Sequence, residues 1–105
     1  MSRSVKIKYR DFYDVPRIFI VKHRDMQLLF DSRFDEDLDD YPDFYKVFVL
    51  PDISDGDLRG SWEHLAKRAV RFLGEVRTSA VRFDPSKRRT IESAVIDELV
   101  EGNSS

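Results

Sequence analysis

Cysteine is missing from this chain altogether. That excludes a disulfide framework, a zinc–thiolate site and a thiol nucleophile. Small secreted domains commonly lean on disulfides, so the absence points to a reducing compartment. Long apolar runs are missing too. The longest are four residues, at 18–21 and 47–50, against the roughly 20 needed to cross a bilayer as a helix. The first residues, Met1-Ser2-Arg3-Ser4, lead straight into alternating charge with no apolar signal core. The expectation is a soluble, cytoplasmic protein that does not enter a membrane. Histidine is scarce, with only His23 and His64, so few groups titrate near neutrality. No G-x-S-x-G, P-loop or H-E-x-x-H pattern occurs. The sequence identifies no catalytic residue and no cofactor, and it leans away from an enzyme.

Charge and aromatics are abundant. Charged residues make up 36% of the 105 residues, and thirteen aromatics supply rigid core material. The charge is segregated along the chain. Residues 31–57 hold ten acids against Arg33 and Lys46, whereas residues 58–90 hold nine bases against Glu63, Glu75 and Asp84. A net charge of −2 therefore hides a dipolar surface.

Hydrophobic periodicity sets the expected elements. Val5, Ile7 and Tyr9 alternate with Lys6, Lys8 and Arg10, a half-buried strand with a basic outer face. Asp14-Val15-Pro16 breaks it. Residues 18–22 read as a more buried strand, His23-Arg24-Asp25 as a tight turn, and Met26, Leu28 and Phe30 as the returning strand of a hairpin. Phe44–Leu50 is a further strand, ended by Pro51. Trp62, Leu65, Ala66, Ala69, Val70 and Leu73 recur at helical spacing between an N-cap at Ser61 and a stop at Gly74. Residues 78–83 suggest a short strand. Asp84-Pro85 then opens a second helix through Ile91, Val95 and Leu99 to Gly102. The expected fold is α+β: an antiparallel sheet of four to five strands, arranged as a hairpin or meander in the N-terminal half, with two C-terminal helices on one face. A small curled barrel with appended helices is the competing architecture. Residues 1–101 are expected to form one domain and 102–105 a flexible tail.

Two charged segments carry the functional expectations. The first is the acidic excursion 35–43, in which Phe34, Leu38 and Tyr41 fall at i, i+4 and i+7 and would share one face of a helical turn pinned to the body. Asp35, Asp37 and Asp39 open like a calcium loop, but Asp40 stands where glycine is required and Lys46 where a bidentate glutamate belongs. The register argues against a calcium loop of that kind, an irregular weak metal site stays open, and no metal ligand set is assigned. The leading reading is a protein-interaction or regulatory module that meets a basic protein partner through Asp35, Glu36, Asp37, Asp39, Asp40, Tyr41, Asp43 and Phe44, with Tyr41 and Phe44 as anchors. The second segment is basic: Lys67, Arg68 and Arg71 on the first expected helix, and Lys87, Arg88 and Arg89 in the first turn of the second. Cations at a helix start are disfavoured unless an anion sits there. These six residues form the alternative, a phosphate- or nucleic-acid-binding surface. A metal-dependent enzyme on the carboxylates is a further alternative. The bland reading is that the two segments neutralise each other within one fold.

Overall fold

The computed structural model describes residues 4–23, 25–52, 55–59, 62 and 65–102. Six antiparallel strands form an open sheet: β1 (Ser4–Tyr13), β2 (Val15–His23), β3 (Met26–Asp31), β4 (Phe44–Leu50), β5 (Arg71–Arg77) and β6 (Thr90–Glu92). Their order is β5-β4-β3-β2-β1-β6. The first five strands make a meander, and β6 returns to pair with β1. A five-residue helix, α1 (Asp55–Arg59), follows β4, and α2 (Ala94–Gly102) ends the described chain.

β2 and β3 are buried on both sides through their middles, which explains the apolar runs 18–21 and 28–30. On the first face Phe19 pairs with Phe30 and Val21 with Leu28, and both pairs are buried with Tyr45, Val47, Val81, Ile91, Val95 and Ile96. Phe19 stacks on Phe30 at 4.7 Å and meets Tyr45 edge-on at 5.2 Å. On the second face Ile18, Ile20, Leu29 and Leu50 are covered by Trp62 and Leu65. Trp62 Nε1 donates to Leu58 O at 2.9 Å, so the indole brings no unmet donor into that core. At the far end His23 Nε2 lies 3.1 Å from Asp97 Oδ1, linking β2 to α2 at ion-pair range without an aligned hydrogen bond.

The α+β class and the N-terminal meander agree with the sequence reading, but the sheet has six strands and does not close into a barrel. The helix expected over 61–74 does not form as such. Ser61, Glu63 and His64 lie outside the described residues, 66–68 is a single 3-10 turn, and Arg71–Arg77 is β5. Pairing with the outer edge of β4 overrides the helical spacing. Gly74 is not a helix stop: it sits opposite Val47 at φ 137°, where the β4–β5 register shifts, a backbone setting that suits glycine. The strand expected over 78–83 is a 3-10 turn at Thr78–Ala80, with Phe83 bridging to Ile91. The second helix begins at Ala94 instead of Asp84, because Thr90–Glu92 is drawn into the sheet beside β1. The tail 103–105 and Arg24 of the expected turn lie outside the described residues.

Tyr45 ties the core to the β1–β2 corner: its buried hydroxyl donates to Pro16 O at 2.7 Å, and burial pushes its pKa up. Tyr45→Phe strands that buried carbonyl and is expected to cost about 1–3 kcal/mol in urea unfolding, with the far-ultraviolet spectrum unchanged.

Candidate functional site

β1 ends at Tyr13, β2 starts at Val15, β3 ends at Asp31 and β4 starts at Phe44, so the β1–β2 turn and the 32–43 loop share one end of the sheet. The loop is not a helical turn. Asp35 and Asp40 exchange backbone hydrogen bonds (2.9 and 3.4 Å), Asp35 Oδ1 accepts from Asp37 N at 2.9 Å, and Asp39 adopts φ 52°. The result is a small closed loop organised by its own acidic residues.

Only one of the three expected pins, the half-buried Tyr41, fastens the loop to the body. Tyr41 stacks on Tyr13 at 4.6 Å with 10° between the ring planes, and Phe34 meets Tyr41 edge-on at 5.4 Å. Beneath them lies Arg17, 8% exposed. Its guanidinium donates to Tyr13 O (2.9 Å), Pro42 O (3.0 Å) and Ser32 Oγ (3.2 Å), and sits 4.7 Å from the Tyr41 ring and 5.9 Å from that of Tyr13. No carboxylate among the described residues lies within ion-pair distance of it; carbonyls and ring faces carry the charge. Leu38 at the tip is 58% exposed and Phe34 is 48% exposed, so neither works as a pin. Together with the exposed ring of Tyr13 they leave apolar surface among the acids.

Of the residues expected at the partner surface, Glu36, Asp37, Asp39, Asp40 and Asp43 are exposed, while Asp35, Tyr41 and Phe44 are half-buried. Phe44 faces elsewhere than expected. It lines an open cleft of about 580 Å³ behind the loop, with Phe34, Asp35, Glu36 and Pro42. The floor is a cross-strand row on the second face, in which Asp11 pairs with Ile18, Ile18 with Asp31 and Asp31 with Lys46. Arg33 grips Asp31 in a two-point fork, Nε to Oδ1 at 3.0 Å and Nη2 to Oδ2 at 3.1 Å. Asp11, Asp31, Arg33 and Arg17 escaped the sequence reading. A lone arginine entering the apolar run 15–21 was the available sign for Arg17; the others are brought in only by strand register. Among the described residues no group of three or more histidine or acidic side chains is placed to hold a metal ion.

The basic residues do not form one surface. Lys67 and Arg68 occupy the 3-10 turn before β5 and Arg71 begins that strand, whereas 87–89 precede β6 at the opposite edge of the sheet order. Nor do 87–89 start a helix. The backbone amides of this segment instead meet an internal anion: the Asp84 carboxylate accepts from Ser86 Oγ, from Ser86 N (3.1 Å), from Arg89 N (3.0 Å) and from Thr90 N (2.8 Å). The Ser86 hydroxyl first, and then these amides, hold its pKa well below the usual carboxylate range. Lys87 reaches Asp14, with Nζ donating to its carbonyl at 3.3 Å, and Arg88 lies over Phe12 at 5.1 Å. The acidic and basic segments thus flank the same β1–β2 turn, yet among the described residues no ion pair joins 35–43 to 87–89. His23 is mostly buried against Asp97, not a surface turn residue, and His64 lies outside the described residues. No helix among the described residues is long and apolar enough to cross a membrane. Neither family models nor curated proteins nor solved structures match this chain.

Two outcomes follow. Arg17→Met takes the guanidinium from the Tyr13 carbonyl and leaves the Pro42 carbonyl with the Ser32 hydroxyl alone; it is expected to destabilise by about 1–3 kcal/mol, with loss of the Tyr13–Tyr41 contact in NOE spectra, and Arg17→Lys restores little, lacking the planar fork. The Asp84 cage is expected to persist on acidification. A carboxyl held below its unfolded-state range stabilises above that range and loses its contribution only as pH falls through the lowered value. The Thr90 and Arg89 amide shifts should therefore titrate below the ordinary carboxylate range, and in Asp84→Ala not at all.

Proposed function

We propose that this protein is an interaction module that docks a basic segment of a partner protein on the 34–41 loop and the adjoining β1–β2 turn. The observation that carries this reading is the gathering of Tyr13, Phe34 and Leu38, three of the five large apolar side chains exposed among the described residues, inside a rim of carboxylates. Apolar anchors ringed by charge are the anatomy of a protein interface, where the centre supplies affinity and the rim supplies approach rate and orientation. Lone exposed apolar residues need no explanation, but two on one ordered loop beside a third at the adjoining end of β1 do. The loop's shape supports the reading as well, because a loop held by Arg17 and Tyr41 has less entropy to lose on binding. A cytoplasmic setting fits the lack of cysteine.

Nucleic-acid binding is the weaker alternative, since its six basic residues are divided between the two edges of the sheet. The test uses a fluorescent peptide alternating basic and leucine residues. Lysine at Asp37, Asp39 and Asp40 together is expected to lower affinity at least about tenfold, and Leu38→Ser by a similar factor, with circular dichroism unchanged. Peptide binding that ignores both changes overturns the proposal, as does retardation of RNA or DNA in its place.

A further inference from the structure

We infer that the cleft behind the 34–41 loop receives an arginine side chain, in preference to lysine, from the basic segment that the loop docks. This deepens the proposed function and rests on it. At about 580 Å³ the cleft is roomier than one long side chain needs, and its walls combine two kinds of surface. Phe34, Phe44 and Pro42 are apolar; Asp11, Asp35 and Glu36 are acidic.

The acids that line it are not equally available. Asp31 is already committed to Arg33, and Lys46 stands opposite Asp31 in register. Asp11 and Asp35 each give only Oδ1 to a neighbouring backbone N–H, Phe12 N at 3.1 Å and Asp37 N at 2.9 Å. Their Oδ2 atoms and the Glu36 carboxylate accept no hydrogen bond from the described residues. Free acceptors therefore lie on the Asp11 and loop sides of the cleft, and the resident cations on the Asp31 side. Four acids against two bases favour one positively charged guest and oppose an anionic one.

Arginine suits these walls better than lysine. A guanidinium offers a planar fork to carboxylates and a flat, weakly hydrated face to aromatic rings, whereas an ammonium answers only the charge and stays strongly hydrated. The same loop already holds a guanidinium in each manner: Arg33 forks onto Asp31, and Arg17 lies 4.7 Å from the Tyr41 ring.

The experiment compares short labelled peptides of equal charge, identical except for arginine or lysine at the centre, titrated into the full chain by fluorescence anisotropy at about 0.1 M salt. The arginine peptide is expected to bind about tenfold more tightly. Asp11→Asn and Glu36→Gln, each with an unchanged circular dichroism spectrum, are expected to bring the ratio near one while leaving the lysine peptide bound. Equal affinity for both peptides in the unaltered chain, or a preference that survives both variants, overturns the arginine cleft but leaves the docking surface standing. No binding of either peptide overturns both.

Discussion

A single buried cation organises the end of the sheet that carries the proposed docking surface. Removing a guanidinium from water costs several kcal/mol unless its donors and charge are met inside. Arg17 meets that demand with acceptors from three separate segments: the Tyr13 carbonyl before the first turn, the Ser32 hydroxyl after β3 and the Pro42 carbonyl before β4. Ser32 Oγ also lies 3.0 Å from Pro42 O, and Ser32 N donates to Arg17 O. Turn and loop are thereby stitched together, and the Tyr13–Tyr41 stack closes over the stitch. Because no carboxylate neutralises Arg17, the acids of the loop remain directed at solvent.

The strands of the N-terminal half were legible because their signals are local. Alternation in β1, unbroken apolar runs in β2 and β4, and breakers at Asp14 and Pro51 each constrain a few neighbouring residues. The C-terminal half was not, for a physical reason. Trp62, Leu65 and Leu73 do recur at helical spacing and all are buried, but they serve different faces: Trp62 and Leu65 cover the second, and Leu73 joins the first from within β5. Burial alone produced the spacing. Which partner a residue is buried against depends on long-range pairing with β4 and β1, and no short window contains that information.

The candidate site divides in the same way. The acidic loop stood out in composition, and its exposure follows from its charge. The sequence also offered Phe34, Leu38 and Tyr41 as a group, but as a buried stripe. In the folded chain Tyr41 turns inward while Phe34 and Leu38 face solvent, since a six-residue closure from Asp35 to Asp40 leaves no helical turn to align them. The cleft was out of reach because Asp11, Asp31 and Lys46 become neighbours only through strand register. The basic segment misled because a helix start was assumed for 87–89.

The Asp84 cage has an implication for how the segment after it can vary. Three backbone amides and one hydroxyl converge on that carboxylate, and the geometry of the excursion is thus dictated from its base. Apart from Ser86, the cage is made by backbone amides, while the Lys87 and Arg88 side chains reach outward to Asp14 and Phe12. Positions 88 and 89 are consequently a ready place for drift or for grafting foreign residues, a small rigid platform whose cargo can be exchanged without disturbing the scaffold beneath.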